Sequence, residues 1–200
     1  MSSSGDIRGW MFRYRSYTPL PFLLVMVIFA RPTLLTLAIG FCIVVLGEII
    51  RFWGVSIVGA ETRTTGTVGG TYLITTGPFA FVRNPLYVGN MLMYAGVGVM
   101  SMALFPWLLI GAIVWFYAQY ALIISREEEY LSGRFGPVYD EYRKHVPRFI
   151  PRLSPYRTGA PPVKRLNVSE GLASEKRTLQ AMTLVTFILI GIYVVRVSPG

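Results

Sequence analysis

Two hundred residues that are 53% hydrophobic, 14% charged and have a mean hydropathy of +0.51 are too apolar for an ordinary water-soluble domain. The net charge of +9 comes with no nucleic-acid recognition motif, so the cations read as membrane topology and attraction to anionic lipid. One cysteine, Cys42, and one histidine, His145, allow no internal disulfide and offer no metal-ligating cluster, and His145 reads as an exposed interfacial residue.

The chain starts MSSSGDIRGW, which has no apolar core leading to a small-residue cleavage site, so no removable secretion signal is read and residues 1–16 are a cytoplasmic N-terminal segment. Residues 17–58 hold the first two membrane segments. Leu20 to Ala30 is only 11 residues long, bounded by Pro19 and Arg31-Pro32, which suits a tilted span, a re-entrant half or an interfacial segment. The uncharged run from Thr33 to Gly47 extends to about Gly59 once Glu48 and Arg51, (i, i+3) neighbours on one helix face, pair with each other.

Residues 59–85 form a Gly/Thr-rich loop in which TYLI is expected as a short strand or extended piece and GPF as a turn. Residues 86–125 follow as a transmembrane hairpin. From Leu86 to Ser125 there are 40 residues without Asp, Glu, Lys or Arg, enough for two spans of about 20, with the turn expected at Ser101 to Pro106. Residues 126–151 are charged and amphipathic. There Leu131, Phe135, Tyr139, Tyr142 and Val146 recur at helical spacing, interrupted at Gly133 and at Gly136-Pro137, with Pro137 suited to the first turn of a second helix. Residues 152–178 read as a Pro-, Ser- and Lys/Arg-rich cytoplasmic linker, and 179–197 as a further C-terminal transmembrane helix.

The expected fold is therefore an all-α integral membrane protein, a bundle of about five transmembrane helices with a pocket on its cytoplasmic face and amphipathic C-terminal helices. With the N-terminus and the site in the cytoplasm, this multi-pass topology places 17 of the 19 Lys and Arg residues inside, leaving Arg31 and Arg196 outside.

A hairpin that returns to the face it left brings Arg83-Asn84-Pro85 at its entrance next to Arg126-Glu127-Glu128 at its exit. The expected pocket combines extended backbone from TYLI, the aromatic faces of Tyr72, Phe79 and Tyr87, two carboxylates and arginines, with lipid alongside. Carboxylates hold an amino group or ribose hydroxyls, and aromatic faces attract a cation such as a sulfonium. Taken singly, each feature has a duller account: an anchoring arginine, a solvated EEE run, an aromatic belt, and Gly89, Gly96 and Gly98 as close-packing positions.

In order and spacing, LITTGPFAFVRNPLYVG followed by EEYLSGRFGPVYDEYRKHVPRFIP resembles the integral-membrane methyltransferases that include isoprenylcysteine carboxyl methyltransferase and the phospholipid methyltransferases. The resemblance runs from about Leu46 to Pro151. It implies S-adenosyl-L-methionine as cofactor, with Tyr72, Leu73, Ile74, Phe79, Asn84, Pro85, Leu86, Tyr87 and Glu127 matching cofactor-lining positions. Arg83, Arg126 and Glu128 are the candidate catalytic residues, the arginines to orient the acceptor and Glu128 as the nearest base.

The implied partner is a lipid-like or amphiphilic methyl acceptor that enters from the membrane. Three departures stand out. Asn84 replaces a family histidine and does not titrate near neutrality. Ile123 replaces an arginine of the prenylcysteine enzymes, and the last span has no counterpart in short members, which offers a lipid entry or a homodimer contact. A nicotinamide-dependent enzyme like the sterol reductases and a non-catalytic scaffold are the rival readings.

Overall fold

The computed structural model describes residues 7–59, 72–157 and 166–198. Expectations for Arg63, Thr71, most of the Gly/Thr-rich loop, the first six residues and the middle of the Pro/Ser-rich linker lie outside the described residues. Within them the fold is helical: α1 (Ile7–Tyr14), α2 (Pro19–Ile28), α3 (Leu34–Val58), α4 (Pro85–Ser101), α5 (Trp107–Phe135), α6 (Pro137–His145) and α7 (Val168–Val197), with a 3₁₀ turn at Gly77–Ala80.

Three of these helices, α3, α5 and α7, are long and apolar enough to cross a membrane. They carry their apolar side chains outward, as a lipid-facing surface requires: Leu34, Leu35 and Ile49 on α3, Trp107 and Val114 on α5, Leu184, Phe187 and Val195 on α7 are all exposed. The short α2 has 10 residues and α4 has 17.

Local chemistry fixes the ends. Thr33 opens α3 with a reciprocal cap, its hydroxyl accepting from the Thr36 N–H while the Thr36 hydroxyl accepts from the Thr33 N–H. Asn167 caps α7 through the Glu170 N–H at 3.2 Å. The hairpin turns where the proline placed it, between Ser101 and Trp107, with Met102 and Leu104 in the left-handed region and Phe105-Pro106 cis. Arg31 N–H donates to the Ser101 carbonyl at 2.7 Å and ties this turn to the end of α2.

Close packing of α3 on α4 forms the centre of the molecule. Gly47 faces Gly89 and Gly40 faces Gly96 so tightly that a Cβ built on Gly89 would lie 2.7 Å from the Gly47 carbonyl oxygen, and one on Gly96 would lie 2.7 Å from that of Gly40. Small residues are what allow two backbones to approach in lipid, where apolar burial gives no net drive between helices. Around this seam Met26, Val44, Val97, Met100, Phe116 and Leu189 pack as one buried core.

Of the short strand or extended piece expected at TYLI, Leu73 to Thr75 are without regular structure, and no strand occurs among the described residues. The hairpin's second helix does not stop at Ser125 but runs on to Phe135, so Arg126, Glu127 and Glu128 continue the same helix as buried Ile123 and Ile124. Likewise α7 begins at Val168, about three turns before the uncharged run.

The break expected at Gly136-Pro137 is present, but none occurs at Gly133, which α5 carries in its last turns with nothing crowding it. Gly136 has φ +53°, which glycine adopts freely, and Pro137 starts α6. Leu131, Phe135, Tyr139, Tyr142 and Val146 then converge in a second small core with Leu73 and Tyr156, so the amphipathic face caps the bundle.

Candidate active site

A cavity of about 600 Å³ lies at the end of the bundle where the C-terminal half of α3, the start of α4, the charged part of α5 and the first turns of α7 meet. It is walled on the remaining sides by the end of α1, by Tyr139 and Tyr142 of α6, and by the segment Tyr72 to Phe79. All nine residues matched to cofactor positions line it: Tyr72, Leu73, Ile74 and Phe79 from the loop, Asn84, Pro85, Leu86 and Tyr87 from the start of α4, and Glu127 from α5. Arg83 and Glu128 line it too. Arg126 is not on its wall: one residue on an α-helix is a rotation of about 100°, which turns Arg126 away from the face Glu127 shows to the cavity.

The two polar patches that flank the hairpin are in contact. Arg83 donates from Nε to Glu128 Oε1 at 3.0 Å, and its Nη2 lies 2.9 Å from the same oxygen. Arg148 adds a second guanidinium, with Nη2 on Glu128 Oε2 and Nε 3.3 Å from Oε1. Arg83 Nη1 also donates to the carbonyls of Arg143 at 2.7 Å and Val146 at 2.8 Å, closing the C-terminal end of α6.

Backbone bonds continue this tie. The N–H of Arg83 reaches the Pro147 carbonyl, that of Arg152 reaches Phe81, and that of Tyr156 reaches Ala80, each at 2.9 Å. Asn84 donates from Nδ2 to the Arg148 carbonyl at 3.2 Å. Arg83, Glu128 and Asn84 thus hold the segment after α6 against the loop before α4 and fix that part of the cavity wall.

Glu127 is placed differently. It accepts one hydrogen bond, from the Tyr87 hydroxyl to Oε1 at 2.8 Å, and no described cation pairs with it. Tyr87 packs at a tilt against Tyr120, with ring centroids 4.7 Å apart, and the Tyr94 ring centroid lies 4.3 Å from that of Phe116, so an aromatic wall leads from the carboxylate into the bundle. Tyr142 donates its hydroxyl to the Phe79 carbonyl at 2.7 Å and so sets the position of the loop aromatic. Burial pushes the Tyr139 and Tyr142 hydroxyls well above the usual tyrosine range, helped by the Glu128 charge near both and, for Tyr142, by Tyr139, so both remain donors.

A second ionic centre was not foreseen. Arg51 was read as the partner of Glu48, and that contact is present but loose, at 3.9 Å. The close partner is Glu175 of α7, which takes two bonds from Arg51 Nη2 at 2.7 and 2.9 Å and is 1% exposed. Arg51 Nη1 also donates to Asn90 of α4. Arg51, Asn90 and Glu175 all line the cavity, and α7 further docks by the Asn167 N–H on the Ser56 carbonyl at 2.7 Å. Glu175 sits just ahead of an apolar run, where a charge usually marks only the interface, so its sequence carried no signal of this role. Arg148, by contrast, lies inside the VPRFIP motif and was visible as a motif member.

His145 is exposed, with its Nδ1 2.9 Å from the Glu141 carbonyl and its ring on Tyr156. Cys42 is exposed on the apolar surface of α3. Among the described residues no group of three His, Cys, Asp or Glu is arranged to hold a metal ion.

The sequence pattern of the phospholipid methyltransferase family matches residues 35–138, just over half of the chain. The chain belongs to that family. It is 34% identical over 126 residues to a cobalt-zinc-cadmium resistance protein of Cupriavidus metallidurans, a match covering 63% of this chain and 53% of that protein. It is 38% identical over 82 residues to the protein-S-isoprenylcysteine O-methyltransferase of Schizosaccharomyces pombe, covering 40% of this chain and 34% of that enzyme. A protein-S-isoprenylcysteine O-methyltransferase of Arabidopsis thaliana is 29% identical over 115 residues, covering 56% of this chain and 57% of the enzyme. The chain thus spans about half the length or less of the curated relatives it matches. The matched region holds α3, α4, α5 and the loop between them, while α1, most of α6 and all of α7 lie outside it.

Proposed function

We propose that this membrane protein is an S-adenosylmethionine-dependent methyltransferase that modifies a lipid-like acceptor at the cytoplasmic interface, in a bundle of five membrane segments with α2 and α4 completing the three long helices. The observation that carries the reading is the cavity in which Tyr72, Phe79, Tyr87 and Glu127, far apart in sequence, converge at the open end of the hairpin. The donor set fits such a cofactor. Aromatic faces suit a sulfonium, and the Glu127 oxygen that Tyr87 leaves unbonded suits an amino group or ribose hydroxyls. Leu73 to Thr75, in no ladder among the described residues, suit an adenine edge through their backbone groups.

When bound, S-adenosylmethionine supplies an activated methyl group on a cationic sulfur. The chain's own part is positioning. Tyr87 holds Glu127 in place, the Glu128 tie with Arg83 and Arg148 fixes the wall, and the aromatic wall excludes water, which favours reactants whose charges cancel on methyl transfer. Arg83 and Glu128 act in this reading as positioning residues, and Arg126 lies off the pathway. An acceptor with an apolar tail enters between helices from the lipid.

The test is thermal stabilisation in detergent or nanodiscs. S-adenosylhomocysteine is expected to raise the melting temperature and NADPH to leave it unchanged. Stabilisation by NADPH alone favours the reductase reading, and a response to neither ligand favours a scaffold. Incubation with methyl-labelled cofactor and native lipid extract then identifies the acceptor.

A further inference from the structure

Four arginines line the cavity, and three of them are accounted for. Arg83 is committed to Glu128 and to two α6 carbonyls, Arg51 to Glu175 and Asn90, and Arg177 is exposed to solvent. Arg15, just after α1, is the remaining one. Its Nη1 is fully enclosed and has no hydrogen-bond partner, and its guanidinium is held 4.0 Å over the Phe12 ring.

Arg15 lines the same cavity as Glu127 and Tyr87, and among the described residues no ion pair joins it to Glu127. It therefore stands near the carboxylate without being neutralised by it. A guanidinium nitrogen cut off from water and from protein acceptors is costly to keep, and a ligand oxyanion would satisfy it. Ile123 is completely buried and Arg126 is off the wall, so the charged part of α5 supplies no alternative cation.

We propose that Arg15 is the oxyanion-binding residue of this cavity, receiving a carboxylate or phosphate carried by one of its ligands. The inference rests on the methyltransferase reading above. Two ligands carry such a group: the cofactor through its amino-acid carboxylate, and the acceptor through a carboxylate or phosphate at its reactive end. Stacked on Phe12, the guanidinium is pre-oriented, and its planar fork matches either oxyanion. The residue lies outside the segment matched by the family pattern, so the N-terminal helix would contribute this chain's own ligand preference.

The experiment uses the full chain in nanodiscs, as wild type, Arg15→Gln and Arg15→Lys. Affinity is measured for S-adenosylhomocysteine and for 5′-methylthioadenosine, which lacks the carboxylate. KM is measured for a farnesylated cysteine and for phosphatidylethanolamine. Loss of a charged hydrogen bond predicts a weakening of about 10- to 100-fold in Arg15→Gln for the ligand whose oxyanion is held, with partial recovery in Arg15→Lys.

A loss for S-adenosylhomocysteine but not for 5′-methylthioadenosine assigns the cofactor carboxylate. A raised KM with kcat retained and cofactor affinity unchanged assigns the acceptor. Changes within twofold for every ligand overturn the proposal while leaving the methyltransferase reading intact. Wild-type protein that neither binds S-adenosylhomocysteine nor transfers a methyl group overturns both. Should Arg15→Gln not fold, Arg15→Lys decides with the same ligand pairs, since a point charge cannot replace the fork and a loss of at least about fivefold is expected.

Discussion

Removing the carboxylate of Glu175 tests whether α7 is held by chemistry or merely lies alongside the bundle. In the folded protein both oxygens face Arg51 Nη2, at 2.7 and 2.9 Å, and Glu175 is 1% exposed. At 2.7 Å and an effective dielectric near 20, the gross attraction is about 6 kcal/mol, and desolvation of both ions takes back much of it. Glu175→Ala leaves Arg51 buried with Asn90 and a loose Glu48, and the expected loss is about 3–5 kcal/mol, the range for breaking one side of a buried pair. For a chain of this size that is a fall in melting temperature of the order of 10 °C, read by fluorescence in detergent. The paired replacement Arg51→Met with Glu175→Leu removes both charges and is expected to recover most of the loss. A Glu175→Ala melt within about 1 °C of wild type would refute the latch. So would a double replacement no better than the single one, because the cost would then come from α7 packing and not from a stranded charge.

Gly89→Ala is expected to cost about 1–3 kcal/mol, since its new methyl would sit 2.7 Å from the Gly47 carbonyl oxygen on a backbone that cannot yield, whereas Gly111→Ala, with nothing within 4 Å, is expected to be neutral or slightly stabilising; paired melts decide. Tyr87→Phe deletes the 2.8 Å bond to Glu127 and keeps the ring, so S-adenosylhomocysteine affinity is expected to fall about 3- to 10-fold with little change in melting temperature, measured by calorimetry. Tyr139 and Tyr142 have hydroxyls raised by burial above their unfolded value, so the stability they contribute is complete below the ordinary tyrosine pKa of about 10 and is lost as pH climbs above it. Tyrosinate absorbance followed from neutral to alkaline pH is expected to show both rings un-ionised until the fold opens; their ionisation alongside exposed tyrosines would contradict the burial.

Legibility from sequence followed the range of the interactions. Proline and glycine act locally, and the hairpin turn at Pro106 and the α6 start at Pro137 fell where they were read. The 40-residue uncharged run fixed the hairpin because a membrane imposes a length. The uncharged run ends at Ser125 while α5 continues to Phe135, since loss of apolarity marks where lipid stops and not where hydrogen bonding stops. Glu128 could be named from its motif, but its two guanidinium partners arrive from 45 and 20 residues away, and only folding shows that Arg83 and Arg148 share it. For TYLI the sequence left a short strand or an extended piece open, because β-propensity is realised only where a partner edge exists, and Leu73 to Thr75 form no strand.

The same distinction separates two layers of the cavity. Its family-matched wall, residues 72–87 with Glu127, is built from contacts close to one hairpin, and the pattern that encodes it is compact enough to be recognised across 29–38% identity. The rest of the wall comes partly from inside the matched segment, with Arg51, Val55, Asn90 and Tyr120, and partly from outside it, with Arg15 after α1 and Glu175 of α7 among others. A wall that mixes a shared cofactor face with chain-specific flanks is what an enzyme needs to keep one methyl donor while changing acceptors, because affinity for the donor and discrimination between acceptors then depend on different residues. On the proposed reading, variation in this chain's acceptor preference belongs to α7, while Arg15 follows whichever ligand supplies its oxyanion. Exchanging the cavity-lining α7 residues for a relative's, with residues 72–87 and Glu127 retained, is expected to alter acceptor KM while leaving S-adenosylhomocysteine affinity in place; a swap that changes both equally would show the cavity to be a single undivided site.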